Sequence, residues 1–247
     1  MKCTSLLPFG FWCLVASGCD DSQPVLRDAG PAVLTAAPAA PPIVDAAPAP
    51  LPKLVMSAGV SGIGVGGQII DGKRADLLEA VAEAMGTGAF TISEPVEISI
   101  ERRTPFRAVR ALVAALRKHG EKQAVFKTAM RGSGALGSLP IVVNGGSLKS
   151  ATATGIGKDR SIAVWPAAGG PARKKSHGFA GPDLTLGGKL LGDSVPEGGA
   201  IVFGSDDSVE WGLVFDLALT RVEYKNASSA SLAIAAGAYE PGKKVLY

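Results

Sequence analysis

Residues 95–130 read PVEISIERRTPFRAVRALVAALRKHGEKQAVFKTAM. Apolar and polar side chains alternate from Val96 to Glu101, the period-2 pattern of a strand with one buried face. Thr104 is placed to cap a helix and Pro105 to occupy its first position. Phe106, Val109, Leu112, Val113 and Leu116 then fall on one apolar stripe, the core-facing side of an amphipathic helix. Gly120 suits the left-handed position just past a helix end, and Ala124–Met130 reads as a further strand.

Upstream, glycines interrupt the β-branched run from Val60 to Ile70, which suggests a Gly-rich strand region or hairpin. Leu77, Leu78, Val81, Ala84 and Met85 give helical spacing to Lys73–Met85, with Gly86 able to end it. The order is strand, helix, strand, helix, strand. Helices this amphipathic bury one face only, so the expected class is α+β. The expected architecture is a two-layer α/β sandwich module with helices on one face of a small sheet.

These residues resemble the periplasmic domain of the ExbD/TolR family, known from biopolymer transport. That family has a strand ending in an acidic residue, Pro plus an aromatic, a long helix ending in Gly, and a final strand. The counterparts here are Val96–Ile100, Glu101, Pro105-Phe106, the helix to Gly120, and Ala124–Thr128. Glu101 stands where the family more often has Asp.

The stretch Gly198–Gly237 lays over the first at an offset of 105 residues. Ile201 and Phe203 match Val96 and Ile98, Asp206 matches Glu101, Trp211 matches Phe106, and Val214 matches Val109. Ser229–Ala233 matches Ala124–Thr128. Ser208 is a candidate cap for the second helix, Ser161–Trp165 a candidate opening strand, and Asp183–Leu191 a short helix holding Gly187-Gly188. The expectation is a tandem of two divergent copies: module 1 over 54–131, a Gly-rich connection over 132–160, and module 2 over 161–247.

Charge separates the two. Residues 101–131 hold nine Lys/Arg and two Glu, giving +7, whereas 192–224 hold seven Asp/Glu and Arg221, giving −6. The whole-chain +3 hides this difference and does not point to nucleic acid. Arg102, Arg103, Arg107, Arg110, Arg117 and Lys118 form a candidate interaction surface. Opposite charge on related modules favours docking with each other. Resemblance implies that ExbD/TolR domains work as dimers, so an intramolecular pseudo-dimer is expected.

The N-terminus reads as an address. Lys2, an apolar run from Leu6 to Ala16, and Ala16-Ser17-Gly18-Cys19 resemble a bacterial lipoprotein signal peptide over 1–18, with Cys19 lipidated. The run is too short to span a bilayer as a helix. Residues 19–53 hold eight Pro and nine Ala, the composition of a disordered tether. The expected location is the bacterial cell envelope, facing the periplasm and anchored by lipid to the inner or outer membrane.

The 247 residues are 47% hydrophobic, 19% charged and 6% aromatic, enough for a core and too apolar for a fully disordered chain. Three scattered Cys and two His (His119 and His177) give no zinc, iron–sulfur or disulfide pattern. Gly132–Gly137 spells GxGxxG, but a strand-like run follows it instead of a helix, so a flexible connection is the expectation. Asp206-Asp207 are adjacent and would point to opposite strand faces. No catalytic, cofactor-binding or metal-binding residue is assigned, and no enzymatic activity is expected. The resemblance implies protein binding: an accessory component of a Ton/Tol-type inner-membrane complex for energy transduction. The alternative is a structural lipoprotein that binds peptidoglycan.

Overall fold

The amphipathic stripe of residues 106–116 and the alternation of 96–101 become the centre of a wide mixed α/β sheet. The structure is a computed structural model, and it describes residues 50–148, 150–175 and 181–247. The signal peptide, Cys19, the tether up to Ala49, and His177 lie outside the described residues. Ala49–Tyr247 forms one compact unit.

The first half holds β1 (Met56–Ala58), β2 (Gly62–Val65), β3 (Gln68–Asp71), α1 (Leu77–Thr87), β4 (Val96–Ile100), α2 (Phe106–His119), β5 (Gln123–Ala129) and β6 (Leu136–Val142). The second half holds β7 (Ala151–Ile156), β8 (Ile162–Pro166), β9 (Arg173–Lys175), α3 (Leu184–Gly192), β10 (Ala200–Phe203), α4 (Trp211–Thr220), α5 (Lys225–Ser228) and β11 (Ser231–Ile234). These described strands form one eleven-stranded sheet, ordered β3-β2-β1-β4-β5-β6-β11-β10-β7-β8-β9.

The pairing of the first five strands recurs in the second half. β1 pairs antiparallel with β2 and parallel with β4, and β4 pairs parallel with β5. Likewise β7 pairs antiparallel with β8 and parallel with β10, and β10 pairs parallel with β11. Met56 faces Ile98 as Thr154 faces Phe203. Ile98 faces Phe126 as Phe203 faces Ile234.

Several expectations are corrected. Two separate small sheets are replaced by one, because β6 pairs with β5 over seven residues and touches β11 at Ala233–Val142. Both β6 and β7 fall in the stretch read as a Gly-rich connection, and β7 is the strand that opens the second half. Ser161–Trp165 corresponds to β8, its antiparallel neighbour. Gly132-Ser133-Gly134 form a hairpin turn between β5 and β6, with Gly132 at φ 85° and Gly134 at φ 67°. The offset of 105 holds through Val214 and becomes 108 at β11, since Phe126 and Ile234 occupy like positions. The three extra residues are taken up where α4 stops at Thr220 and a 3-10 turn (Arg221–Glu223) and α5 follow.

The buried side chains of α1–α4 join one core with the inward residues of the strands, including Ile98, Phe126, Ile201 and Phe203. Phe106 and Trp211 are fully buried in it. The opposite sheet face differs between the halves. In the second half Ala153, Ala163, Trp165, Val202, Ala233 and Ala235 are buried there, beneath Tyr239, Val245 and Tyr247 of the C-terminal segment. In the first half Ser57, Glu97 and Ser99 on that face are exposed.

Candidate interaction surfaces

Helices leave their first N–H groups without intrahelical partners. Neither α2 nor α4 has a side-chain cap. Thr104, the expected cap, is buried and donates its hydroxyl to the Ala58 carbonyl at 3.0 Å. Ser208 donates to Asp206 instead. The first amides of each helix are capped by the other half. Phe106 N donates to Val209 O at 2.8 Å, and Trp211 N to Thr104 O at 2.8 Å. Arg107 N donates to Asp207 O at 3.3 Å, and Gly212 N to Arg102 O at 2.7 Å. Each of these four bonds maps onto its counterpart by the 105-residue offset, and Pro105 and Glu210 form an antiparallel bridge between them.

Two ion pairs flank this junction. Arg102 makes a bidentate pair with Asp216, at 2.9 and 2.6 Å, and also donates to Ala129 O and Gly212 O. The Asp216 side chain is only 12% exposed, and its hydrogen bonds hold the Arg102 guanidinium above its ordinary pKa. Arg110 pairs with Asp207 at 2.8 Å and donates to Gly237 O at 3.1 Å. Positions 102 and 207 are equivalent by the same offset and carry opposite charges, each aimed at the opposing helix.

Arg102→Met is expected to cost about 2 kcal/mol, because it strands a nearly buried carboxylate. The coupling in a double-mutant cycle with Asp216→Asn is expected near 1–2 kcal/mol. The cycle for Arg110 and the half-exposed Asp207 is expected below about 0.5 kcal/mol, fading with salt. Urea denaturation at low and high ionic strength measures both.

The six basic residues read as an open surface are therefore mostly tied within the chain. Arg102 and Arg110 join the halves, and Arg107 donates to the Arg74 carbonyl. Arg117 is half-buried and donates to Val143 O at 2.9 Å, leaving a buried Nη2 unpartnered. Its burial lowers the guanidinium pKa. Arg103 and Lys118 stay exposed. His119 Nδ1 lies 3.0 Å from the buried Glu121 carboxylate, at the end of α2. Asp206 accepts from Ser208 while Asp207 meets Arg110, so the two carboxylates diverge. No group of three or more His, Cys, Asp and Glu residues able to hold a metal occurs among the described residues.

The C-terminal segment is fixed to the second half by backbone bonds and by side-chain donors on both sides of the contact. Val245 N donates to Ala167 O at 2.8 Å, and Trp165 Nε1 to Lys243 O at 2.8 Å. Tyr239 stacks edge-on against Trp165 and donates its hydroxyl to Gly155 O at 3.2 Å. Burial first, then the Asp159 and Asp206 carboxylates, raise the Tyr239 phenol above its ordinary pKa. A raised folded-state value adds stability below the unfolded phenol value of about 10, and that stability is lost as pH climbs past it. The segment is expected to loosen above about pH 10, read as a rise in Trp165 exposure to quenchers, and Tyr239→Phe is expected to remove that alkaline step.

The open face of the first half holds a hollow of about 390 Å³ floored by Ser57, Gly64 and Ser99 and walled by Ile69 and Leu136. A second hollow of about 550 Å³ adjoins it across Lys127, which is paired to Glu97 at 2.6 Å. Sequence periodicity marks β4 as one-sided, but nothing in it separates an open outer face from one covered by a distant segment. The chain matches no protein-family model, no curated protein and no solved structure.

Proposed function

We propose that the chain is a tandem of two divergent ExbD/TolR-like modules closed on each other as an intramolecular pseudo-dimer. In this reading it is a lipid-anchored, non-enzymatic binding component of a Ton/Tol-type energy-transducing complex in the bacterial envelope. The observation that carries the reading is the recurrence of strand order and pairing sense in the second half, together with reciprocal helix capping at a 105-residue offset. Two like modules that satisfy each other's helix N-termini have the geometry of an isologous dimer. Opposite charges at equivalent positions favour pairing of unlike modules, which suits partners joined in one chain.

No described helix is long and apolar enough to cross a membrane. The proposed role is therefore attachment and recognition, with proton movement left to a partner. The test is purification of the full lipoprotein from detergent-solubilised envelope, together with sedimentation against purified peptidoglycan. Recovery of a proton-channel complex, lost when Cys19→Ser releases the anchor, supports the reading. Retention on peptidoglycan alone assigns the chain to the cell wall instead.

A further inference from the structure

The two halves carry the same sheet face, and among the described residues one is covered and one bare. In the covered half, Tyr239 lies over Gly155, and a Cβ added there would sit 2.7 Å from its ring. Gly155 follows Thr154 as Ser57 follows Met56, so Ser57 and its partner Ser99 mark the same spot on the bare half. The hollow of about 390 Å³ lies at this spot. Among the described residues, the hydroxyls of Ser57 and Ser99 have no hydrogen-bond partner, and both side chains are exposed. The large aliphatics on this face are unusually open: Val55 is 70%, Ile69 72% and Leu136 69% exposed. Large exposed apolar groups around a small-residue floor mark interaction sites.

We infer that the open face of the first half takes a looped peptide segment of a partner protein, with a tyrosine-like side chain in the hollow above Ser57 and Ser99. The chain's own residues 236–247 supply the template, since a looped aromatic segment, turned at Gly242 and closed by Ala236 N donating to Leu246 O at 2.7 Å, is what covers the equivalent face. The small floor leaves room for one ring, the two serine hydroxyls meet its phenol or the peptide backbone, and Ile69 and Leu136 take flanking aliphatic groups. Glu97 and Lys127 neutralise each other, so the segment needs no net charge. This inference goes beyond the envelope role proposed above and does not depend on kinship with the ExbD/TolR family.

The experiment is selection of a displayed random dodecapeptide library on the full chain, followed by affinity measurement on variants. Enriched peptides should carry an aromatic residue flanked by aliphatic or small ones. Their affinity should fall at least tenfold in Ser99→Trp, and in Ser57→Trp as a second way of filling the hollow. It should not change in Glu79→Trp on the exposed side of α1, with all variants keeping the parent circular dichroism. Absence of enrichment, or peptides indifferent to both hollow-filling variants, would overturn the inference. So would a concentration-dependent dimer by sedimentation that Ser99→Trp converts to monomer, which would assign the face to a second copy.

Discussion

Trp211→Ala is expected to destabilise the chain by about 3–5 kcal/mol, measured by urea denaturation followed in the far-ultraviolet. Trp211 opens α4 of the second half, yet its ring is packed into the first. It meets Phe126 of β5 edge-on at 5.6 Å and Phe215 at 6.1 Å. Its Nε1 donates to the Thr128 hydroxyl at 2.8 Å, a bond between two fully buried groups. Truncation therefore leaves a large cavity and an unpaired hydroxyl together. Trp211→Phe separates these effects, with an expected loss of about 1–3 kcal/mol from the orphaned Thr128 and a smaller ring. Because the ring joins both halves, unfolding should remain a single transition in Trp211→Phe. In Trp211→Ala the second half should open at lower denaturant.

Gly155→Ala is expected to cost about 3 kcal/mol or more, at the upper end of overpacking penalties. A Cβ at this position would lie 1.4 Å from the backbone carbonyl oxygen of Gly204, a residue whose own N–H donates to Thr154 O of β7 at 2.8 Å. The Tyr239 ring closes the remaining direction. Ser57→Gly at the matching position of the first half should cost under about 1 kcal/mol, the usual penalty for glycine in a strand. The contrast follows first from the Gly204 carbonyl beside Gly155 and then from the Tyr239 ring over it, whereas the Ser57 side chain is exposed. Equal losses at the two positions, read as thermal midpoints, would mean that neither the Gly204 carbonyl nor the Tyr239 ring blocks the added methyl.

Much of the first half was legible because its information is local. β4 alternates cleanly, α2 carries a full apolar stripe, and Gly120 takes the left-handed conformation at φ 95°. Asp183 caps α3 with its side chain, accepting from Leu186 N at 3.0 Å, and that signal sits within one turn. What sequence could not show depended on distant partners. β7 is buried on both faces and built of Ala, Thr and Gly up to Ile156, so it lacks a large-apolar alternation. β6 contains Pro140, which argues against an interior strand. It is accommodated because β6 meets β11 at a single pair only. The caps of α2 and α4 come from carbonyls about a hundred residues away, so no cap signature near each helix announces them.

The candidate surface was read least well. A run of arginines on one helix suggests a solvated patch, but four of the six donate to oxygens of their own chain. Long guanidinium side chains reach the carbonyls left at strand ends, and sequence spacing carries no record of that. The open sheet face gave no signal because serine and glycine at strand positions read as weak strand formers. Their small size matters only once the sheet places Ser57, Gly64 and Ser99 side by side.

The central claim is that the two halves close on each other within one chain across Pro105 and Glu210. Residues facing each other in such an antiparallel bridge have Cα atoms about 4.5–5.5 Å apart, within disulfide reach. The decisive measurement is oxidation of the full chain carrying Pro105→Cys and Glu210→Cys, with its three natural cysteines replaced by serine. The account predicts a rapid intramolecular disulfide in the monomer, with the thermal midpoint unchanged or raised. Free thiols after oxidation, or disulfides formed only between chains, would contradict it.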